Sequence, residues 1–345
     1  MLVLPVIMMC VLSILSLNLI AAEQSEYFRK PIPYSPEWGP QTISYSTIPK
    51  LYEYFRTYTP YRLSFQSIWL VANVMDDQGN KYNLLRMYDA ESTSMVMASQ
   101  EVPGLDSKAK PIFKPGEMYM GRIFHEIDEE KGHIYVQPLT HVGPPFSIVI
   151  RPQHYIWKDA NGKIDLEFSA LAPAIEFYIP GKREDALYRS EQCFVKGTLN
   201  GKPVIGWGDL DMSWGPQGIG FTQGKIYKLL EQHWVVFLNI FEDGTKEGGV
   251  FVDGLDQCKV GYYYKDGKGQ VGRNTTFDIK YTEDGFPKAA TIKMDDLTLQ
   301  YTTESRVAKA EALVSWASGR MINQKETRKP VKTFSWFEFF PKGKE

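Results

Sequence analysis

Ile164, Leu166 and Phe168 alternate with Asp165, Glu167 and Ser169. That period of two is what a half-buried antiparallel strand requires. Residues 67–74 and 82–88 read as strands joined by the turn Asp76-Asp77-Gln78-Gly79-Asn80, which makes a hairpin. Further turn signals fall at Lys114-Pro115-Gly116, Lys131-Gly132, Asn161-Gly162 and Asn200-Gly201. The second half has the same texture: strands over 234–241, 249–252, 261–264, 276–281, 291–294 and 297–302, with turns at Glu242-Asp243-Gly244, Asp266-Gly267 and Asp284-Gly285. Residues 307–317 alternate like a strand although Ala, Glu and Lys favour helix, and strand is assigned because its neighbours are strands. Residues 334–340 read as a closing strand. One short helix is predicted, from Leu51, Tyr54, Phe55 and Tyr58 at helical spacing within a lead-in rich in Pro and Tyr. Short strands roughly 8 to 12 residues apart predict an all-β chain of barrels or sandwiches.

Residues 1–22 are almost wholly apolar and lead into Glu23-Gln24-Ser25-Glu26. They read as a signal peptide with Ala22 before the cleavage point, so the chain is expected to be secreted or periplasmic. The run is also long enough for an uncleaved anchor, but no stable membrane insertion of the mature chain is expected. What remains of the 345 residues exceeds one compact core, which predicts two domains, 23–202 and 203–345. An exported chain with Cys193 and Cys258 suggests a disulfide between them, two buried thiols being the alternative. Asn274-Thr275-Thr276 matches a glycosylation acceptor. A net charge of -2 with no basic run argues against nucleic acid as a partner. It leaves a small hydrophobic molecule as the expected one.

One stretch concentrates unusual chemistry: Gly206-Trp207-Gly208-Asp209-Leu210-Asp211-Met212-Ser213-Trp214-Gly215. In a strand Trp207, Asp209 and Asp211 project from one face, while Gly206 and Gly208 leave room for a ligand or another backbone. The alternative is two core tryptophans, a turn-capping aspartate and a strand that ends at Gly215-Pro216.

The segment resembles the G-x-G-x-R-D-x-S-W-G signature of a lipocalin-like tandem β-barrel family that includes hydroxyneurosporene synthase, kievitone hydratase and fungal decalin-forming pericyclases. Gly206, Gly208, Asp211, Ser213, Trp214 and Gly215 match it, and residues 194–202 are similar to the strand and turn that precede it. Leu210 stands where the pattern has Arg, and Gln217 where an Arg often follows. The resemblance implies two lipocalin-like antiparallel β-barrels in tandem with an apolar ligand site near their interface. It also implies chemistry on isoprenoid or polyketide-like molecules, by alkene hydration or cyclisation, without a cofactor.

Such chemistry needs a strong acid in a water-poor pocket, and a buried carboxyl can be that acid near neutral pH. Asp211 is the candidate acid, with Asp209 second; Trp207 and Trp214 supply ring faces for a carbocation. Ser213, Gly206 and Gly208 complete the candidate ligand-binding set. His233 is a candidate for positioning water or relaying a proton, against a plain hydrogen-bonded strand histidine. His125 and His133 flank Glu126, Asp128, Glu129 and Glu130 around Lys131-Gly132, which reads as a solvated hairpin rather than a metal site. Three readings stand: a cofactor-independent hydratase or cyclase, a non-catalytic carrier of a lipophilic ligand, and a structural envelope protein.

Overall fold

The computed structural model describes residues 42–45, 63–128, 130–140, 143–179, 186–216, 232–254, 259–272, 275–308 and 315–339. The signal peptide, the short helix predicted near Leu51, Cys258, Asn274 and Gln217 lie outside them. The described chain runs through β1 (Thr42–Tyr45), β2 (Ser64–Asp76), β3 (Lys81–Tyr88), β4 (Ser92–Gln100), β5 (Gly104–Lys108), β6 (Lys110–Pro111), β7 (Gly121–Asp128) and β8 (His133–Pro138). It continues with β9 (Ser147–Arg151), β10 (His154–Asp159), β11 (Ile164–Ala170), β12 (Ile175–Ile179), β13 (Ala186–Leu199) and β14 (Lys202–Gly215). The remaining strands are β15 (His233–Ile240), β16 (Lys246–Asp253), β17 (Lys259–Lys265), β18 (Lys268–Gly272), β19 (Thr275–Tyr281), β20 (Pro287–Met294), β21 (Leu297–Ala308), β22 (Ser315–Asn323) and β23 (Lys332–Phe339).

These strands form two sheets. In the first, β14, β2, β3, β4, β7, β8, β9, β10, β11 and β13 pair in that order, and β13 pairs back with β14 to close a barrel. Its interior holds the inward positions of the alternating strands, Ile164, Leu166 and Phe168 among them, all 0% exposed. The second sheet runs β18-β17-β16-β15-β23-β22-β21-β20-β19 and is nearly closed. Gly261 and Gly272 on its β17–β18 edge lie under Met294 and Thr275 from the β19–β20 edge, so side chains fill the seam. A Cβ at Gly272 would stand 1.9 Å from Met294 Cγ.

The two expected β-barrels are therefore present, one closed and one nearly closed. The strand starting at Lys202 completes the first barrel, because the Asn200-Gly201 turn folds it straight back onto β13. Every ladder around the two barrels is antiparallel; off that path, the short β5 leaves the first half to pair with β21 in parallel.

A third apolar layer lies between the barrels. It joins the outward face of β2, β3, β13 and β14 (Val71, Leu85, Tyr188, Trp207) to the outward face of the second barrel (Trp234, Val236, Val252, Tyr262, Trp316, Trp336). Interior positions of the second barrel, such as Val235, Phe237 and Phe337, alternate with these on the same strands. The outer wall of each barrel is thus buried against the other, and that is where the acids lie.

Candidate functional site

Antiparallel pairing of β13 with β14 sets Gln192 opposite Asp209, Ser190 opposite Asp211 and Tyr188 opposite Ser213. On the other side β2 sets Val71 opposite Asp209, Trp69 opposite Asp211 and Ser67 opposite Ser213. All of these side chains share the face that packs on the second barrel, because directly opposed residues point the same way. Asp209 is 1% and Asp211 6% exposed.

A chain of hydrogen bonds follows the face. Trp207 Nε1 donates to Gln192 Oε1 (2.8 Å), and Gln192 Nε2 donates to Asp209 Oδ2 (2.8 Å). Ser190 donates to both Asp209 oxygens at 3.1 Å. Tyr188 donates to Asp211 Oδ2 at 2.9 Å. Beyond it, Trp69 Nε1 donates to Ser67 Oγ (3.0 Å), which stands 2.7 Å from Ser213 Oγ. Among the described residues, no N–H and no Ser, Thr or Tyr hydroxyl donates to Asp211 Oδ1.

Asp209 and Asp211 also share a hydrogen bond with each other, which requires a proton on one of them. Burial pushes the Asp209 carboxyl well above the usual carboxylate range, and the neighbouring Asp211 adds to this. Burial likewise pushes Asp211 up to about 7; the bonds from Asp209, Ser190 and Tyr188 pull it back, and the charge of Glu338 pushes it further up. Among the described residues neither acid makes an ion pair and neither accepts from a backbone N–H. The pair therefore holds a proton between its two carboxyls, with both pushed above the usual carboxylate range by burial.

The opposing wall comes from the second barrel. Half-buried Glu338 lies opposite Trp234 on β15 and opposite Trp316 on β22. The indole N–H groups of Trp316 and Trp336 both donate to its Oε1, the former at 2.9 Å. Trp234 meets the Tyr188 ring edge-on, with centroids 5.3 Å apart. Carboxyls thus face each other across a layer of aromatic rings. Such an arrangement can deliver a proton and face a developing positive charge with ring quadrupoles.

No protein-family model matches this chain, and no curated protein matches it. Among solved structures it is similar to kievitone hydratase from Nectria haematococca, with 12% identity over 85% of this chain and 92% of that one and a TM-score of 0.42.

The predicted residues divide between faces. Trp207, Asp209, Asp211 and Ser213 lie together on the interface face. Trp214 does not: it is opposite Leu187, its ring lies in the first barrel's core and it meets Phe65 edge-on. Only one of the two indoles expected beside the acids is therefore there. Gly206 and Gly208 serve packing: a Cβ on Gly206 would stand 2.1 Å from the Asn73 carbonyl oxygen, and one on Gly208 would stand 2.5 Å from the Phe168 ring and Val195. Leu210, which stands where the resembled signature has Arg, points into the first barrel opposite Glu191. There Arg189 pairs with Glu191 (3.3 Å) and Glu176 (3.0 Å), on the face away from the acid pair.

His233 is on the wrong face of β15 for the acids. It takes part in a bond with Asp253 (3.1 Å) and one with the Tyr281 hydroxyl (2.7 Å), near Phe277 and Phe337. Its neighbour Trp234 is the residue that reaches the site. Cys193 carries a free, fully buried thiol on the first barrel's inner face. The His125–His133 region is a β7–β8 hairpin in which Lys131 pairs with Asp128 at 2.8 Å, and no metal-ligating cluster occurs among the described residues. Sequence reasoning missed Tyr188, Ser190, Gln192, Trp69 and Glu338.

Proposed function

We propose that the interface between the barrels binds an apolar, unsaturated isoprenoid or polyketide-like molecule, and that Asp211, backed by Asp209, is the acid for its hydration or cyclisation. In this reading the Asp211 carboxyl O–H breaks as a C–H bond forms on one alkene carbon. The cation left on the other carbon lies against Trp69, Trp207 and Trp234. Water adds its oxygen there, gives up a proton, and that proton restores the carboxyl. No redox partner is required. The exported setting read from residues 1–22 belongs to the same proposal.

The observation that carries it is the buried Asp209–Asp211 pair, which among the described residues has no cation or backbone N–H to hold it ionised. A carboxylate kept for structure alone would be expected to collect such donors. Native mass spectrometry of the protein with a lipid extract tests the reading, with products compared between wild type and Asp211→Asn. The expected outcome is a product heavier by one water, or an isomer of the bound molecule, formed by wild type alone. Binding by both proteins with no product from either would sink the enzyme reading and leave a carrier of lipophilic ligands.

A further inference from the structure

A groove of about 320 Å³ opens between the barrels at the Trp207 end of the acid ladder, lined by Ser169, Leu171, Phe194, Lys246, Tyr264 and Asp266. Phe194 lies directly opposite Trp207, so groove and acids share one wall. Two of its polar groups leave hydrogen-bonding or charge capacity unused within the described residues. Tyr264 is 1% exposed, yet its hydroxyl has no hydrogen-bond partner among the described residues. Leaving such a buried donor unmet is unfavourable, and a ligand oxygen that meets it recovers that loss. The hydroxyl lies against Gly248, where a Cβ would stand 2.3 Å away, so the glycine makes the space it occupies. Lys246 makes no ion pair among the described residues; its Nζ is 5.2 Å from the Phe194 ring centroid and 3.4 Å from the Gly244 carbonyl oxygen.

We propose that this groove holds the oxygen-bearing end of the ligand, with the Tyr264 hydroxyl donating to that oxygen and the Lys246 ammonium matching its negative charge. The ligand class narrows from any apolar alkene to a molecule with an acceptor oxygen, best a carboxylate or phenolate, at one end of an apolar body. Burial keeps the Tyr264 phenol protonated, with the nearby Cys193 and Asp209 adding to this, so it remains a donor at neutral pH. The proximity of Tyr264 to Asp209 ties the groove to the acids. From Trp207 to Asp211 the strand advances about 13 Å. A ligand anchored at Tyr264 would lay a double bond near Asp211 if its apolar body is some three isoprene units long.

The proposal rests on the interface being the ligand site, and a series with one C15 chain and three end groups tests it: farnesoic acid, farnesol and farnesene. Affinities are read by tryptophan quenching and calorimetry. Wild type should bind farnesoate tightest and farnesene weakest. Tyr264→Phe should weaken farnesoate and farnesol up to about tenfold and leave farnesene unchanged. Lys246→Gln should weaken farnesoate alone. Farnesene binding as well as farnesoate, equal losses for all three in Tyr264→Phe, or no binding of any of them would overturn the inference. If the end-group order holds but no probe is hydrated, the acid chemistry fails while the groove assignment stands; hydration without end-group preference gives the reverse.

Discussion

The Tyr188 hydroxyl donates to Asp211 Oδ2 at 2.9 Å while its ring meets Trp234 of the other barrel. One residue therefore links the candidate acid to the opposing wall. Its bond favours the ionised form of Asp211 and opposes the effect of burial. Tyr188→Phe should therefore raise the pKa of Asp211 further, by about one unit. Infrared titration of the protonated carboxyl band checks this. An unchanged or lowered midpoint would mean the hydroxyl does not govern the proton.

The same pair sets a pH dependence of stability. The folded-state pKa of Asp211, about 7, lies above an unfolded value near 3.9. Between those values the unfolded chain binds fewer protons than the folded one, so stability falls as pH rises through the window, by on the order of a few kcal/mol. Below about pH 4 this contribution is fully present. Asp211→Asn removes the titration and should be more stable relative to wild type at pH 8 than at pH 4. Urea midpoints of both proteins at the two pH values provide the comparison; the same difference at each would rule the linkage out.

The two glycines of the segment predict a loss that is purely structural. Gly208→Ala forces a methyl into the Phe168 and Val195 side chains and should cost roughly 1–3 kcal/mol. Gly206→Ala meets the backbone of Asn73 and Val74, which has less room to move, and should cost more. Thermal denaturation of the two variants ranks them. Equal and negligible losses would return these glycines to the ligand-approach role.

Much of this arrangement is legible in the sequence. The alternation over 164–169, the Asp76–Asn80 hairpin turn and the turn at Asn200-Gly201 each gave a strand its face or partner. Counting back from Asn200-Gly201 places Ser190 opposite Asp211 and Gln192 opposite Asp209, so the acids' partners were within reach of a register argument. The same period of two assigns Trp214 to the face away from Asp211, and Trp234 rather than His233 to the interface. What no local pattern carries is the approach of β23. Glu338 reaches Asp211 only because two outer walls pack together, and that packing leaves no periodic trace in either strand.

His233 separates the two barrels experimentally. Its bonds to Asp253 and Tyr281 tie β15 to β16 and β19 inside the second barrel, on the far side of β15 from Trp234. His233→Gln should lower the melting temperature and leave both the Asp211 titration and product formation as in wild type. A shifted Asp211 midpoint would show that the relay role considered for this histidine operates through the strand.

Glu338 offers the sharpest control of the acid from outside its own barrel. Two indole N–H groups fix one of its oxygens, and its negative charge raises the proton affinity of Asp211. Glu338→Gln keeps an acceptor oxygen for Trp316 and Trp336 but removes the charge, so the Asp211 midpoint should fall below about 7. Less acid would then be present at neutral pH, and any proton-transfer activity should reach its half-maximum at a correspondingly lower pH. Burial alone, by contrast, would leave the midpoint where it is. Measured beside Tyr188→Phe, the two variants must shift the titration in opposite directions, since one removes a group that stabilises the carboxylate and the other a group that repels it.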